Sequence, residues 1–462
     1  MDADVRFRRR DIDKKHRYIN KEDNPIVLPK PDDVVPELRD NLIDKIGIID
    51  INDIQPIEDG SFTNVKAVGG YNWIKAEPPT IAVPGSPRIW SGGLGNARKL
   101  PGDDTNLNHF QHAYMNGTIL QPLGISPLEP IFHSLTDPRD LLNVNLITDR
   151  NALRKLYRLF TPATIYTQNK AWRIDGEIVG DTVLFTRWES SKDMKPRRPE
   201  FSWSHQYDLV ATDNPVPNSI QSERLVKYKF AGLVMIVRYE IDAALPPSST
   251  STKTISSKNK TLSPQETITT PHFDPESGLN ISKTPETRYP KQSELIEMKT
   301  RTIKRDIDFE DAYGQMVFSQ ISNLYYSRHD QGDFKWPTQK FEMGKGKFKS
   351  LAKSAEEPIK KVGKLLNEMI KLIRHHKDKG KISFVWSGEY AKDLLLGRFP
   401  SEKELRLEDE FETEVNVKLD SLSIKSSTIL DDKKNFPVVP ILVNKRFAKE
   451  DGDEEEDNFW SD

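Results

Sequence analysis

The chain has 462 residues, 36% of them hydrophobic and 30% charged, with a mean hydropathy of −0.64. It can therefore bury a sizeable core while carrying much sequence that cannot join one. With no cysteine, a disulfide scaffold, a thiol nucleophile and every Cys-containing zinc or iron–sulfur site are excluded. The formal charge of −2 hides segregation, because basic stretches at 6–17 and 340–381 are offset by Glu450–Asp457, where seven of eight residues are acidic. Net charge alone thus argues nothing about nucleic acid.

In chain order, the N-terminus opens on Arg6, Arg8, Arg9 and Arg10 without a following apolar run. The longest apolar stretch, Leu233–Val237, is far too short to span a bilayer, so the expectation is a soluble intracellular protein, nuclear or cytoplasmic, with no membrane partner. Residues 1–35 read as a disordered basic arm, either a nuclear import signal or a solvated charge run. From 36 to 140, Pro and Gly predict ordered loops with short strands, with Trp73 and Trp90 packed beneath them. Leu153, Leu156, Tyr157 and Phe160 recur at helical spacing after Asp149, a ready cap, and predict a short helix. Strand-like text follows at Trp172–Ile178, Thr182–Trp188, Val226–Asp242 and Leu295–Lys299. Residues 245–290, rich in Pro, Ser, Thr and Lys, read as a disordered insertion that could be deleted with little loss of stability. Ile359 to Ile373 predict a helix beginning just after Pro358 and running to about Lys377. The excess of thirteen Lys or Arg over five acids across 340–381 suits either a solvated face or a track for an RNA backbone. An apolar strand, Ile382–Trp386, follows. The organisation is a single domain over 36–445 with an acidic tail at 446–462, and the fold class is α+β.

Two strings carry chemistry: Tyr239-Glu240-Ile241-Asp242-Ala243 and Glu294-Leu295-Ile296-Glu297-Met298-Lys299-Thr300. In strands, Glu240 and Asp242 share a face, and Glu297 and Lys299 likewise flank Met298. Were the strands neighbours, three carboxylates and one ammonium would converge. Clustered carboxylates repel unless a cation sits among them, and oxygen ligands suit Mg²⁺ or Mn²⁺. Such ions activate water and stabilise a leaving phosphate oxygen, and a neighbouring Lys neutralises developing charge. Removing Glu297 is expected to leave the fold intact and to relieve repulsion among the acids. The alternative is two edge strands with solvated charged faces, since an acid-x-Lys triplet recurs by chance in so charged a chain.

The order of these strings resembles the DXO family of RNA 5′-end decapping exonucleases. The matching pieces are Asp149-Arg150-Asn-Ala-Leu-Arg-Lys, Glu240-Ile241-Asp242, Glu297-Met298-Lys299-Thr300 and Gln320 in Val317-Phe318-Ser319-Gln320. The family's Gly-aromatic-x-aromatic-Glu string is met by Ser204-His205-Gln206-Tyr207-Asp208, with Ser in place of Gly and the shorter Asp in place of Glu. The match covers roughly 140–400. It implies a mixed central β-sheet of PD-(D/E)xK nuclease type flanked by helices, and a divalent metal, Mg²⁺ or Mn²⁺, held by Asp208, Glu240, Asp242 and Glu297. It further implies catalysis by Glu297, Lys299, Gln320 and Asp242, with Arg150 on a substrate phosphate. The chain also looks like fungal proteins labelled geranylgeranyl pyrophosphate synthetases. Asp32-Asp33-Val-Val-Pro, Asp103-Asp104-Thr-Asn-Leu and Asp431-Asp432-Lys-Lys-Asn all lack the final Asp that prenyl diphosphate chemistry needs.

The expected function is metal-dependent hydrolysis of RNA 5′ ends, by removal of caps, pyrophosphate or NAD, with 5′–3′ exoribonuclease activity as an extension. The alternative is a catalytically weak scaffold that binds a 5′–3′ exoribonuclease partner, with the acidic tail as its docking segment. Ser204 and Asp208 favour that alternative, and the Glu297–Lys299 pair opposes it. Oligomeric state is not legible in the sequence.

Overall fold

A computed structural model describes residues 38, 42, 44–95, 99–103, 127–161, 171–188, 202–247, 271–284, 289–388 and 393–398. Two sheets organise them. The larger has twelve strands, in the spatial order Asp44–Asp50, Asp393–Arg398, Ile382–Trp386, Trp172–Val179, Thr182–Trp188, Leu146–Asp149, Leu233–Glu240, Ser219–Phe230, Phe62–Ile74, Thr80–Val83, Leu279–Lys283 and His272–Asp274. The smaller has six, in the order Gln339–Glu342, Asn323–His329, Leu295–Thr302, Ala243–Ala244, Ile89–Trp90 and Thr212–Asp213. Both are mixed. Leu146–Asp149 runs parallel to both of its neighbours, and Leu295–Thr302 runs parallel to Asn323–His329. With helices packed against these sheets, the fold is α+β.

The apolar run at 233–237 is explained by burial on both faces of the larger sheet. Met235, Val237 and Tyr239 face one core cluster and Ile236 the other. The first cluster lies under the helix Gly346–His375, which buries Ile359, Val362, Leu365, Leu366, Met369, Ile370 and Ile373. The second lies under the short helix Glu129–Ser134. Asp149 caps the helix Arg150–Arg158 as its sequence suggests, accepting from the Ala152 N–H at 2.8 Å.

Three expectations change. The strand-like stretch Val226–Asp242 is two antiparallel strands joined at Ala231 and Gly232, whose φ values of +53° and +82° make a two-residue hairpin turn. The helix expected to start after Pro358 starts at Gly346, with Pro358 inside it. Burial of Phe348 against Phe309, Tyr313 and Phe341 offsets the backbone hydrogen bond that proline removes. Part of the expected insertion at 245–290 is built into the larger sheet. His272–Asp274 and Leu279–Lys283 form a hairpin whose second strand runs parallel to Thr80–Val83. Leu279 is buried there against Tyr71, Trp73 and Ile81. Leu279 and Ile281 alone supply enough apolar surface once an edge strand is available, which local composition could not reveal. Residues 1–35, 248–270 and 446–462 lie outside the described residues. Among those described, no helix is long and apolar enough to cross a membrane.

Candidate active site

The strands bearing Glu240 and Glu297 are not neighbours. The chain leaves the larger sheet at Glu240, turns through Ile241 and Asp242, and Ala243–Ala244 then joins the smaller sheet beside Ile296 and Leu295. Ala243–Ala244 is too short to reach Met298, and the Asp242 carboxylate takes over, accepting from the Met298 N–H at 2.6 Å. The seam between the sheets therefore opens a cleft of about 510 Å³, lined by Asp208, Glu240, Asp242 and Lys299 and closed in by Trp203, His205 and His329.

Asp208 reaches this cleft from the helix Ser204–Ala211, which lacks a side-chain cap of its own. Asp103 supplies one by accepting from the Gln206 N–H at 2.9 Å. At the other end Arg88 donates to the carbonyls of Leu209 and Thr212 at 3.3 and 3.2 Å. Between them the Tyr207 hydroxyl bonds Ser327 at 2.6 Å and Thr338 at 2.9 Å. The helix is held from three sides, and Asp208 with it.

Glu297 stands behind the cleft, completely buried. Its oxygens accept from Arg150 at 3.0 Å, from Gln315 at 2.5 Å and from Lys299. Burial alone would raise the Glu297 carboxyl, but Lys299 and then Arg150 outweigh it and hold it below its ordinary value. The cleft carboxylates are in the opposite condition. Burial, with Glu297 close by, pushes Asp242 up to about 8. Burial and Glu223 raise Glu240 to about 7. Burial, with Asp242 and Glu240, lifts Asp208 well above the carboxylate range. Three half-buried acids thus share a cleft in which protein cations do not balance them.

The structure brings Asp208, Glu240, Asp242 and Lys299 together and sets Glu297 and Arg150 behind them as a buried pair. Arg150 is almost wholly enclosed and spends one nitrogen on Glu297, rather than presenting its fork to solvent. Because Glu297 is the counter-ion of Arg150, removing it strands a buried cation rather than relieving repulsion, contrary to expectation. Gln320 is elsewhere. It ends the helix Phe309–Ser319 with φ +56°, its amide bonded to the Val317 carbonyl, and it lines a separate hollow with Met316 and Ile359. The glutamine that touches Glu297 is Gln315. Helical spacing does not single it out, because every residue from Ala312 to Ser319 is buried.

Asp208, Glu240 and Asp242 fit a hard divalent ion by donor chemistry, as an all-oxygen set short of positive charge. Among the described residues no group of three or more His, Asp or Glu is already closed around one point. Glu297 is tied to its three donors.

The fold is that of the Rai1 proteins of the DXO family, as the motif order implied. Rai1 from Scheffersomyces stipitis, in complex with (3′-NADP)⁺ and calcium ion, aligns with a TM-score of 0.50 at 11% identity, covering 78% of this chain and 96% of that one. S. pombe Rai1 aligns at 0.47 and 11% identity, over 76% of this chain and 99% of that one. Candida albicans Rai1 in complex with pU5-Mn²⁺ gives 0.43 and 11%, over 78% and 95%. By sequence, residues 45–404 match the family described as Domain of unknown function (DUF8563), and the chain belongs to that family. No curated protein matches it.

Proposed function

We propose that the chain is a metal-dependent phosphoesterase acting on RNA 5′ ends, where it hydrolyses a phosphodiester or pyrophosphate linkage and so removes cap-like groups. The observation that carries this reading is the convergence of Asp208, Glu240, Asp242 and Lys299, from separate elements, on one cleft whose acids lack balancing charge. Asp208, Glu240 and Asp242 would hold Mg²⁺ or Mn²⁺, and Glu297 would join them if Lys299 released it. An ion there would supply positive charge to phosphate oxygens. Lys299, partly exposed at the cleft lip, neutralises charge that develops on the phosphate. Arg150 and Gln315 fix the Glu297 carboxylate, and Glu297 in turn sets the position of the Lys299 ammonium. His205, lowered by burial, offers a neutral ring at the cleft wall. The ligand class is supported by the S. stipitis Rai1 complex, whose dinucleotide carries a pyrophosphate between two nucleosides.

The test is incubation of the chain with RNAs bearing triphosphate, capped or NAD-linked 5′ ends, with Mg²⁺ or Mn²⁺, beside matched single- and double-stranded DNA. Release of the 5′ group from RNA, abolished by Asp242→Asn, is expected. Failure to act on any of these RNAs with any divalent metal overturns the reading. The closure of Glu297 by three donors favours a second one, a non-catalytic scaffold for a 5′–3′ exoribonuclease. It predicts no heat of Mn²⁺ binding in calorimetry and co-elution with such a nuclease.

A further inference from the structure

A second hollow, of about 410 Å³, opens on the other side of the helix Ser204–Ala211. We infer that it is a stacking subsite for a base of single-stranded RNA whose 5′ end occupies the carboxylate cleft, an inference that rests on the phosphoesterase reading of that cleft.

Four observations support it. Its outer wall is Trp336, whose side chain is left 43% exposed; with Phe273 it is one of two large aromatic residues so placed among the described residues. Pro337 follows, which confines Trp336 to extended backbone and presents the indole on a stiff segment. The Gly92–Gly95 loop, which also lines the hollow, has φ of +105°, +104° and +56° at its three glycines. A Cβ at Gly92 or Gly95 would meet nothing within 4 Å, so at these two positions the backbone is open to a planar ring.

The charged groups lining the hollow are both cationic. Lys340 lies over the Tyr325 ring at 4.9 Å, and Lys335 pairs with Asp333 at 3.1 Å in a largely exposed bridge. Exposed pairs of that kind are worth little and yield readily to phosphate.

The hollow and the cleft flank the same helix, Tyr207 lining the one and Asp208 the other. Trp203 and His329, which line the cleft, sit 5.0 Å apart. His329 is 4.9 Å from Phe334, and Phe334 is 4.9 Å from Tyr207 in the hollow. These rings form a packed aromatic row beneath that helix, with Tyr207, His329 and Phe334 all buried. An exposed indole beside two lysines is what a single strand requires, because every base has a π-face and every linkage a charge. Scattered hydroxyls in the hollow, from Ser327 and Thr338, are already paired with Tyr207, which leaves little for reading a particular base.

The test uses the full chain without divalent metal, so that nothing is cleaved, and 5′-phosphorylated oligo-U of two, four, six and ten nucleotides, followed by fluorescence anisotropy. Trp336→Ala should weaken binding of the ten-mer about tenfold and leave the dinucleotide unchanged, and Trp336→Tyr should recover most of the loss. An abasic ten-mer should bind the parent and Trp336→Ala alike. Lys335→Ala and Lys340→Ala should each flatten the salt dependence by about one phosphate contact. If Trp336→Ala binds every length as the parent does, the subsite is refuted, whether or not RNA ends are hydrolysed when metal is restored. If the length-dependent loss is found and no RNA is ever cleaved, the subsite stands and the catalytic reading falls. Absence of any RNA binding by the parent overturns the subsite, and the catalytic reading is then judged by the hydrolysis assay with metal.

Discussion

Glu297 offers a demanding test of the buried network. Replacing it with Ala removes the acceptor of three donors at once and leaves Arg150, almost fully enclosed, without its carboxylate. Breaking a buried pair by removing one partner costs about 3–5 kcal/mol, because the remaining ion has lost both water and its counter-charge. Lys299 adds less, since it is partly exposed and can turn toward Asp242 or solvent. A domain of 150–250 residues shifts by about 2–4 °C per kcal/mol and a larger one by less, so the melting temperature should fall by about 4–7 °C at pH 7. The pH dependence has a definite sign. The Glu297 carboxyl lies below its ordinary value, so its contribution is present above that value and is lost as pH falls through the folded one. The gap between parent and Glu297→Ala should therefore narrow in acid. The decisive assay is a denaturation cycle with Arg150→Met, Glu297→Leu and their combination. The double variant should recover most of what either single change loses, because two apolar groups of similar volume replace the pair. A loss below about 1 kcal/mol for Glu297→Ala, or additive losses in the double variant, would show that the pair does not hold the site together.

Other outcomes follow from the same geometry. Asp242, pushed up to about 8, favours its protonated form in the folded chain, so the stability it confers is lost as pH rises through that value. Asp242→Asn should raise the metal-free melting temperature at pH 9 more than at pH 5, and it should remove the extra stabilisation that Mn²⁺ gives the parent at pH 8.5 over pH 6. Leu279→Ala should cost about 2–5 kcal/mol in urea denaturation, since the side chain is buried against Tyr71, Trp73 and Ile81; a neutral result would mean the hairpin at 272–283 is not integral to the sheet. Gln315→Leu should depress turnover on RNA ends at least tenfold while Gln320→Ala leaves it unchanged, read from initial rates. Asp208→Glu should keep or raise that turnover, and loss of activity with unchanged Mn²⁺ affinity would detach Asp208 from the metal.

What could be read from the sequence was what local pattern determines. Asp149 as a cap, the strands Thr182–Trp188 and Ile382–Trp386, and the buried face from Ile359 to Ile373 each depend on spacing within one element. Glu240, Asp242 and Lys299 were found because alternation on a strand is equally local. Most of what escaped needed partners distant in sequence. The turn at Ala231 and Gly232 is the exception, a local hairpin in which an alanine with φ +53° stands where turns usually place Asn, Asp or Gly. The hairpin at 272–283 depends on an edge supplied some two hundred residues earlier, by Thr80–Val83. The family resemblance points to Gln320, whereas the amide that reaches Glu297 belongs to Gln315, earlier in the helix that Gln320 ends. The pairing of Arg150 with Glu297 joins residues 147 apart, and no pattern in either segment announces it.

The hydrogen bond from the Met298 backbone to Asp242 turns that amide into a gauge of the cleft. Where a strand neighbour would have offered a carbonyl of constant basicity, a carboxylate is the acceptor. Its electron density changes whenever a proton or a cation arrives on the other oxygen. The Met298 N–H proton should accordingly move in an NMR spectrum, and its hydrogen-exchange rate should change, in step with occupancy of the site. A backbone position between the inert side chains of Ile296 and Thr300 would then report, without any attached label, the state of chemistry taking place one residue away.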